Sequence, residues 1–363
     1  PKAVDVIRQG LSFAMLLGLA ICVTGWLATP LLMRFMETSA ATFANAVPYL
    51  RIFFIATPLF ALAETIYAVF RASGDTRTPT RVGVTVVIIN MVLDPFLIFG
   101  IGPFPELGVK GASVASLIAI AIGLVLIVRE LRHGKTGYDV TRPFWARPRL
   151  SSIWRIARIG LPIATQQLIF VFVYWFLIRF VHRFGEDAGA AMGIGNRMES
   201  FSYLVCYGIS LAASTMVGQN LGAGQPKRAA RCAWTATGAG VGVTLFISVL
   251  FLSTPGLIAS VFTSDPEVHR IAVDYLVILG LSQFTMAVEI ILEGAFSGAG
   301  DTLPPMLVSV PGSLARVPLA YLLAFTLDWG INGVWWTLTI TTTIKALALA
   351  VWFARGKWQQ KLV

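Results

Sequence analysis

The chain reads as an all-α polytopic membrane protein made of two parallel, pseudo-symmetric helix bundles. Three observations predict this. Hydrophobic residues make up 56% of the 363 residues and charged residues only 13%, with a mean hydropathy of +0.76, whereas soluble domains carry about 25% charged residues. Apolar runs of the roughly 20 residues that a bilayer demands recur from one end to the other. Short motifs of the first half also return in the second, in the same order and at near-constant spacing.

Ten such runs lie near 11–33, 48–70, 80–102, 109–131, 155–181, 189–216, 230–255, 271–297, 304–326 and 329–353. Most Lys and Arg fall on one set of alternate loops, among them Arg71, Arg77, Arg129, Arg132, Lys227 and Arg228. The opposite loops hold few, such as Arg34, Arg51 and Arg270. By the positive-inside rule the basic side is cytoplasmic, and an even number of spans returns both ends of the chain there. The net charge of +10 is accounted for by this bias, so nucleic acid is not an expected partner.

The repeat pairs Thr29-Pro30 with Thr254-Pro255 and Tyr49-Leu50 with Tyr275-Leu276. It pairs Gly74-Asp75-Thr76 with Gly300-Asp301-Thr302, and Gly108 and Gly111 with Gly330 and Gly333. Matching loops fall on the same side, so the repeats are parallel, related by an axis along the membrane normal. Pro1-Lys2 aligns with Pro226-Lys227, which leaves two helices between about residues 150 and 225 without a counterpart. One account is a six-plus-six protein from which the first hairpin is missing, with four helices present of six, plus six; Pro1 in place of an initiator Met fits it. The other is a native ten-helix protein. The expected domains are an amino-terminal lobe (1–133), a polar, basic cytoplasmic linker (134–150) and a carboxy-terminal lobe (151–363).

Chemistry is sought where polar groups enter the spans. Asn90 and Asp94 are four residues apart and share one helix face. Pro95 has no amide hydrogen and frees the Met91 carbonyl one turn back. An aspartate at mid-membrane costs about 2.5–3.5 kcal/mol on insertion scales, so such an acid points to function. With Ser113 and Ser116 on the following span, the pair offers oxygen ligands for a proton or a sodium ion. The alternative is that Asp94 lies near a membrane boundary and pairs structurally. In the second repeat Arg316 stands at the position of Asn90 and Ala320 at that of Asp94. Glu289 and Glu293, one turn apart on the preceding span, are the expected partners of Arg316 in a carboxy-lobe charge cluster, either structural or in the path of substrate or protons.

Gln166, Gln167, Tyr174, Asn196, Arg197 and Glu199 either line a cavity or bond neighbouring helices. Arg197 and Glu199 are also read as snorkelling at the external end, and Glu64 stays undecided. The Gly-Asp-Thr segments are expected to turn the chain and cap the next helix. A face of aromatics, 12% of the chain, would suit packing and flat cationic ligands. Cys22, Cys206 and Cys232 have no paired or metal-ligand spacing. No Gly-Lys-Ser/Thr phosphate loop and no nucleophile–base arrangement stands out, so the chain is not expected to be an enzyme or to be driven directly by ATP.

RASGDTRTP, followed by NMVLDP and ELGVKGASVAS, together with RIGLPIATQQ, MVGQNLGAGQPKRA and FSGAGDTLPP, resembles the multidrug and toxic compound extrusion (MATE) family over nearly the whole chain. The resemblance implies twelve helices in two six-helix lobes with an outward-opening cavity, and a chain that begins just before the third helix. It implies secondary-active export of amphipathic, often cationic organic compounds from the bacterial inner membrane, coupled to protons or sodium and without a cofactor. Asn90 and Asp94 match the amino-lobe cation site of the DinF-like branch. The NorM-like pattern expects carboxylates where this chain has Phe170 and Met286, which favours the DinF-like reading. A carboxylate that the same pattern places on the first helix is not in this chain, so its site is incomplete as given. The expected partners are small organic substrates and the bilayer, with the protein acting as a monomer and no metal beyond sodium at Asp94. The alternatives are a flippase of lipid-linked substrates within the same superfamily, and a non-transporting membrane scaffold.

Overall fold

The computed structural model describes residues 2–36, 38–134 and 146–360, and every regular element among them is helical. The chain divides into two compact units, Pro1–Ile156 and Ala157–Val363. The first holds α1 (Lys2–Phe35), α2 (Ala40–Ala72), α3 (Arg77–Phe99) and α4 (Val109–Arg132). Within it α2 packs on α1 and α4, and α3 lies on α4. Glycine permits the closest of these approaches: a Cβ on Gly18 would meet the backbone of Pro58 at 2.7 Å, and one on Gly25 would enter the Phe54 ring. In hydrocarbon, helices associate by such contacts between small residues rather than by hydrophobic burial.

The second unit takes up most of α5 (Leu150–His182), then α6 (Glu186–Gly222), α7 (Pro226–Ser253), a short α8 (Pro255–Ser260), α9 (Pro266–Gly280), α10 (Gln283–Gly298), α11 (Leu303–Leu314), α12 (Arg316–Tyr321) and α13 (Ile331–Ala354). Its α10 packs on α6, α7 and α13, and α11 lies on α13. Among the described residues nine helices are long and apolar enough to cross a membrane, and α9 with α10 make a tenth span bent by 55°. The run expected at 271–297 is therefore broken rather than straight. Large apolar side chains such as Leu31, Val87, Val125, Val171, Leu204 and Phe246 stand exposed along these helices. An apolar surface of that extent is stable only against lipid or another protein.

The repeat seen in the sequence extends to individual hydrogen bonds. At the end of α2 the amides of Gly74 and Asp75 donate to the carbonyls of Arg71 and Phe70; at the end of α10 those of Gly300 and Asp301 donate to Ser297 and Phe296. Both glycines have positive φ, 91° and 68°. Asp75 then caps α3, its Oδ1 accepting from the amides of Arg77 and Thr78. In the second copy Thr302 Oγ1 donates to the Ile159 carbonyl of α5. Ser39 and Asp265 cap α2 and α9 at matching positions. Gly108 (φ 56°, ψ −136°) and Gly330 (φ 60°, ψ −146°) precede α4 and α13 in the same conformation.

The break between α9 and α10 has no equivalent in α2, and side chains repair it. The Ser248 hydroxyl of α7 donates to the Gly280 carbonyl. Thr339 Oγ1 of α13 donates to the Ile278 carbonyl at 3.0 Å, and Ser282 Oγ to that of Leu279 at 3.2 Å. Residues 135–145 of the expected linker lie outside the described residues. Its last part belongs to the first unit: Gln9 Nε2 donates to the Arg147 carbonyl, the Arg149 amide returns a bond to Gln9 Oε1, and Ser12 Oγ donates to the Ala146 carbonyl. These bonds explain why the first compact unit runs on to residue 156 instead of ending at 133.

Because Gly300 holds a left-handed conformation that an L side chain resists, Gly300→Ala should lower stability by about 1–2 kcal/mol. Gly242→Ala, in open space on α7, should leave the unfolding temperature of the detergent-purified protein unchanged or slightly raised.

Candidate functional site

In the first unit, Asn90 and Asp94 face α4. Asn90 Nδ2 lies 3.3 Å from Asp94 Oδ1 and 3.3 Å from Ser116 Oγ, and both residues of the pair are half-buried. Ser116 thus joins the cluster, but Ser113 does not: its hydroxyl donates to the Lys110 carbonyl of its own helix. Asp94 lies five residues before the end of α3 at Phe99, about 8 Å along the axis. It therefore stands in the outer third of its span, not at the middle. Glu64, on α2, faces Arg71 at 4.0 Å.

The second unit encloses a cavity of about 800 Å³. Three deeply buried charged residues, Glu289, Arg316 and Lys345, lie on it. Lys345 Nζ is 2.6 Å from Glu289 Oε1, with the two residues 4% and 9% exposed. Glu293, one turn on, accepts from Ser309 Oγ at 2.6 Å and Gln166 Nε2 at 3.4 Å, so α5, α10 and α11 meet at one carboxylate. Arg316 donates from Nε to Thr341 Oγ1 at 2.9 Å and from Nη2 to Thr342 Oγ1 at 3.0 Å. Tyr174 and Tyr275 both donate to Asn196 Oδ1, at 2.6 and 3.1 Å. Two aromatic pairs border the cavity, Phe170 on Tyr174 and Tyr203 on Tyr207, stacked at 5.6 and 6.2 Å.

The family model described as MatE matches residues 2–96 and 162–322. The chain belongs to the MatE family. This MatE protein is a multi-pass membrane transporter and not an enzyme. It is 29% identical over 335 residues to a protein of Thermotoga maritima named probable multidrug resistance protein NorM, covering 88% of this chain and 69% of that one. It is 29% identical over 309 residues to a protein of Shewanella oneidensis named FAD transporter, covering 83% of this chain and 66% of that relative. The crystal structure of a MATE in the straight conformation superposes with a TM-score of 0.91 at 21% identity, over 99% of this chain and 80% of that one.

Two sequence expectations for this MatE protein need correction. Arg316 does not pair with Glu289 and Glu293. Lys345 enters from α13 and takes Glu289, while Glu293 turns to α5 and α11, leaving Arg316 to two threonine hydroxyls. Lys345 was the missing partner, and its own need for a counter-charge inside a span was the signal. Gly312 makes room for it, since a Cβ there would meet Lys345 Cγ at 2.5 Å. The second correction concerns Arg197, which is exposed and does not line the cavity, whereas Gln166, Gln167, Tyr174 and Asn196 do. One residue along a helix is a turn of about 100°, so Arg197 points away from the face that Asn196 presents. Glu199 lines the cavity instead of snorkelling. On that face Asn196, Glu199, Tyr203, Tyr207, Ser210 and Ser214 recur at i, i+3 and i+4, a polar stripe legible in the sequence of α6.

Removing one member of a buried ion pair leaves the other uncompensated, at about 3–5 kcal/mol. Lys345→Met should destabilise the MatE protein by about that amount, and adding Glu289→Met should recover most of the loss in thermal unfolding.

Proposed function

We propose that this transporter exports flat, amphipathic organic compounds across the bacterial inner membrane by antiport with a proton or sodium ion bound at Asn90 and Asp94. The observation that carries the reading is the contact of Asn90 with both Asp94 and Ser116. It gathers a carboxylate, an amide and a hydroxyl from two helices around one half-buried point. The Asp94 carboxylate and the Ser116 hydroxyl are hard oxygen groups that suit a proton or a small cation, and Asn90, donating to both, holds them together. Antiport requires that ion and substrate bind the two access states with different affinities. An ion arriving from outside would occupy the pair and favour outward release of substrate; its loss to the cytoplasm would favour reloading. The pair also supports a DinF-like mode of coupling; the bias of Lys and Arg to one set of loops supports cytoplasmic ends for the chain, and in this reading the protein works as a monomer.

The substrate is taken by the cavity of the second unit. Its two aromatic stacks fit flat rings by stacking and, where the ring is cationic, by cation–π attraction. One relative is named FAD transporter, and FAD carries a flat fused-ring system, which supports this class.

Reconstituted in vesicles, the protein should drive dye efflux that is lost when the coupling gradient alone is collapsed, protons and sodium being tested separately. Asp94→Asn should abolish that coupled efflux while leaving membrane insertion and yield intact. Wild-type rates in Asp94→Asn would remove the carboxylate from the mechanism.

A further inference from the structure

Five charged groups of the second unit line its cavity: Glu199, Glu289, Glu293, Lys345 and Arg316. Lys345 is spent on Glu289, and Glu293 is held by Ser309 and Gln166. Arg316 is different. It is 6% exposed, its hydrogen bonds run only to the hydroxyls of Thr341 and Thr342, and no described carboxylate stands within ion-pairing distance of it. Hydroxyls fix the orientation of a guanidinium without neutralising it, and a buried charge left so is costly unless something completes it. Glu199 acts on it through space but makes no bond to it. Nη1, with two N–H groups, donates no hydrogen bond to a described residue.

We propose that Arg316, held in place by Thr341 and Thr342, is a subsite for an anionic oxygen group, a carboxylate or a phosphate, on an aromatic substrate in this cavity. Nη1 and the second hydrogen of Nη2 form a fork of fixed geometry, matched to two oxygens of one anion. Both threonines approach from α13, whereas Arg316 opens α12, so the fork is held by two elements at once. Phe170 and Tyr174 border the same cavity and supply a surface for the ring that carries the anion. The Tyr174 hydroxyl is engaged by Asn196, which leaves its ring as the contact. A substrate seated this way bears an acid at one end, so the cavity selects zwitterionic or anionic aromatics over purely cationic ones.

The proposal rests on the reading of this cavity as the substrate site, and not on ion coupling at Asp94. It is therefore tested by equilibrium binding to the purified full chain in detergent, which needs no gradient. Two matched pairs of fluorescent probes separate the anions: a rhodamine free acid against its methyl ester, and riboflavin phosphate against riboflavin. On the unaltered protein at least one acid should bind more tightly than its neutralised partner. Arg316→Gln should weaken that acid about tenfold, or about 1.4 kcal/mol, and leave the ester or riboflavin within about twofold. The pair that shows the loss tells carboxylate from phosphate. Equal weakening of both members of each pair, or of neither, overturns the subsite. Should Arg316→Gln yield no folded protein, the order of affinities on the unaltered chain decides, and partners lacking the acid that bind as tightly as both acids overturn the proposal.

Discussion

A hydrocarbon solvent offers no hydrogen-bond partner, and that one constraint governs most of what the helices do. Backbone groups are satisfied within each helix, and Ser and Thr inside the spans turn back on their own carbonyls, as Thr29 does on Gly25 and Thr244 on Gly240. Where a helix breaks, side chains from neighbouring helices must complete it. The bend between α9 and α10 is tolerated because Ser248 and Thr339 supply donors to the carbonyls it exposes. The same rule acts on charge. Lys345 and Glu289 are both placed deep in their unit, and each is tolerable there only because the other stands 2.6 Å away.

The two repeats share a backbone plan but not a chemistry. Their turns, caps and pre-helical glycines fall at matching positions. At equivalent crossings, however, bulk changes sides: in the first repeat Gly123 of α4 accommodates Val86 of α3, and in the second Gly312 of α11 accommodates Lys345 of α13. A glycine beside a larger side chain is kept, while the helix supplying each is exchanged. That exchange lets one copy hold an apolar contact and the other an ion pair.

Much of the fold was legible from the sequence because its cues are local. Apolar runs of bilayer length, Gly-Asp-Thr turns and paired motifs predict elements whose formation needs no knowledge of distant residues. The bend at Leu281 and Ser282 was less so, because Gly280 differs little from a glycine in a straight span until its partners on α7 and α13 are known. The candidate site divides along the same line. Asn90 and Asp94 share a face by spacing alone, yet the depth of Asp94 depends on where α3 ends. The choice of Lys345 over Arg316 as the partner of Glu289 depends on which side chains three helices deliver to one point, and composition does not encode that. The stripe on α6 was within reach, since its period is that of the helix; reading its members as isolated polar positions concealed it.

The acids of the two units stand in different surroundings. An acid that must exchange an ion has to be reachable and incompletely neutralised, and Asp94, half-buried with an amide and a hydroxyl for company, meets both conditions. Glu289 meets neither: its oxygen is already occupied by an ammonium group that belongs to the protein and does not leave. A resident cation in that position neutralises a carboxylate that would otherwise be costly so deep in the unit. Of the three acids on the cavity only Glu289 is held this way among the described residues; Glu293 is met by a hydroxyl and an amide, which orient a carboxylate without neutralising it.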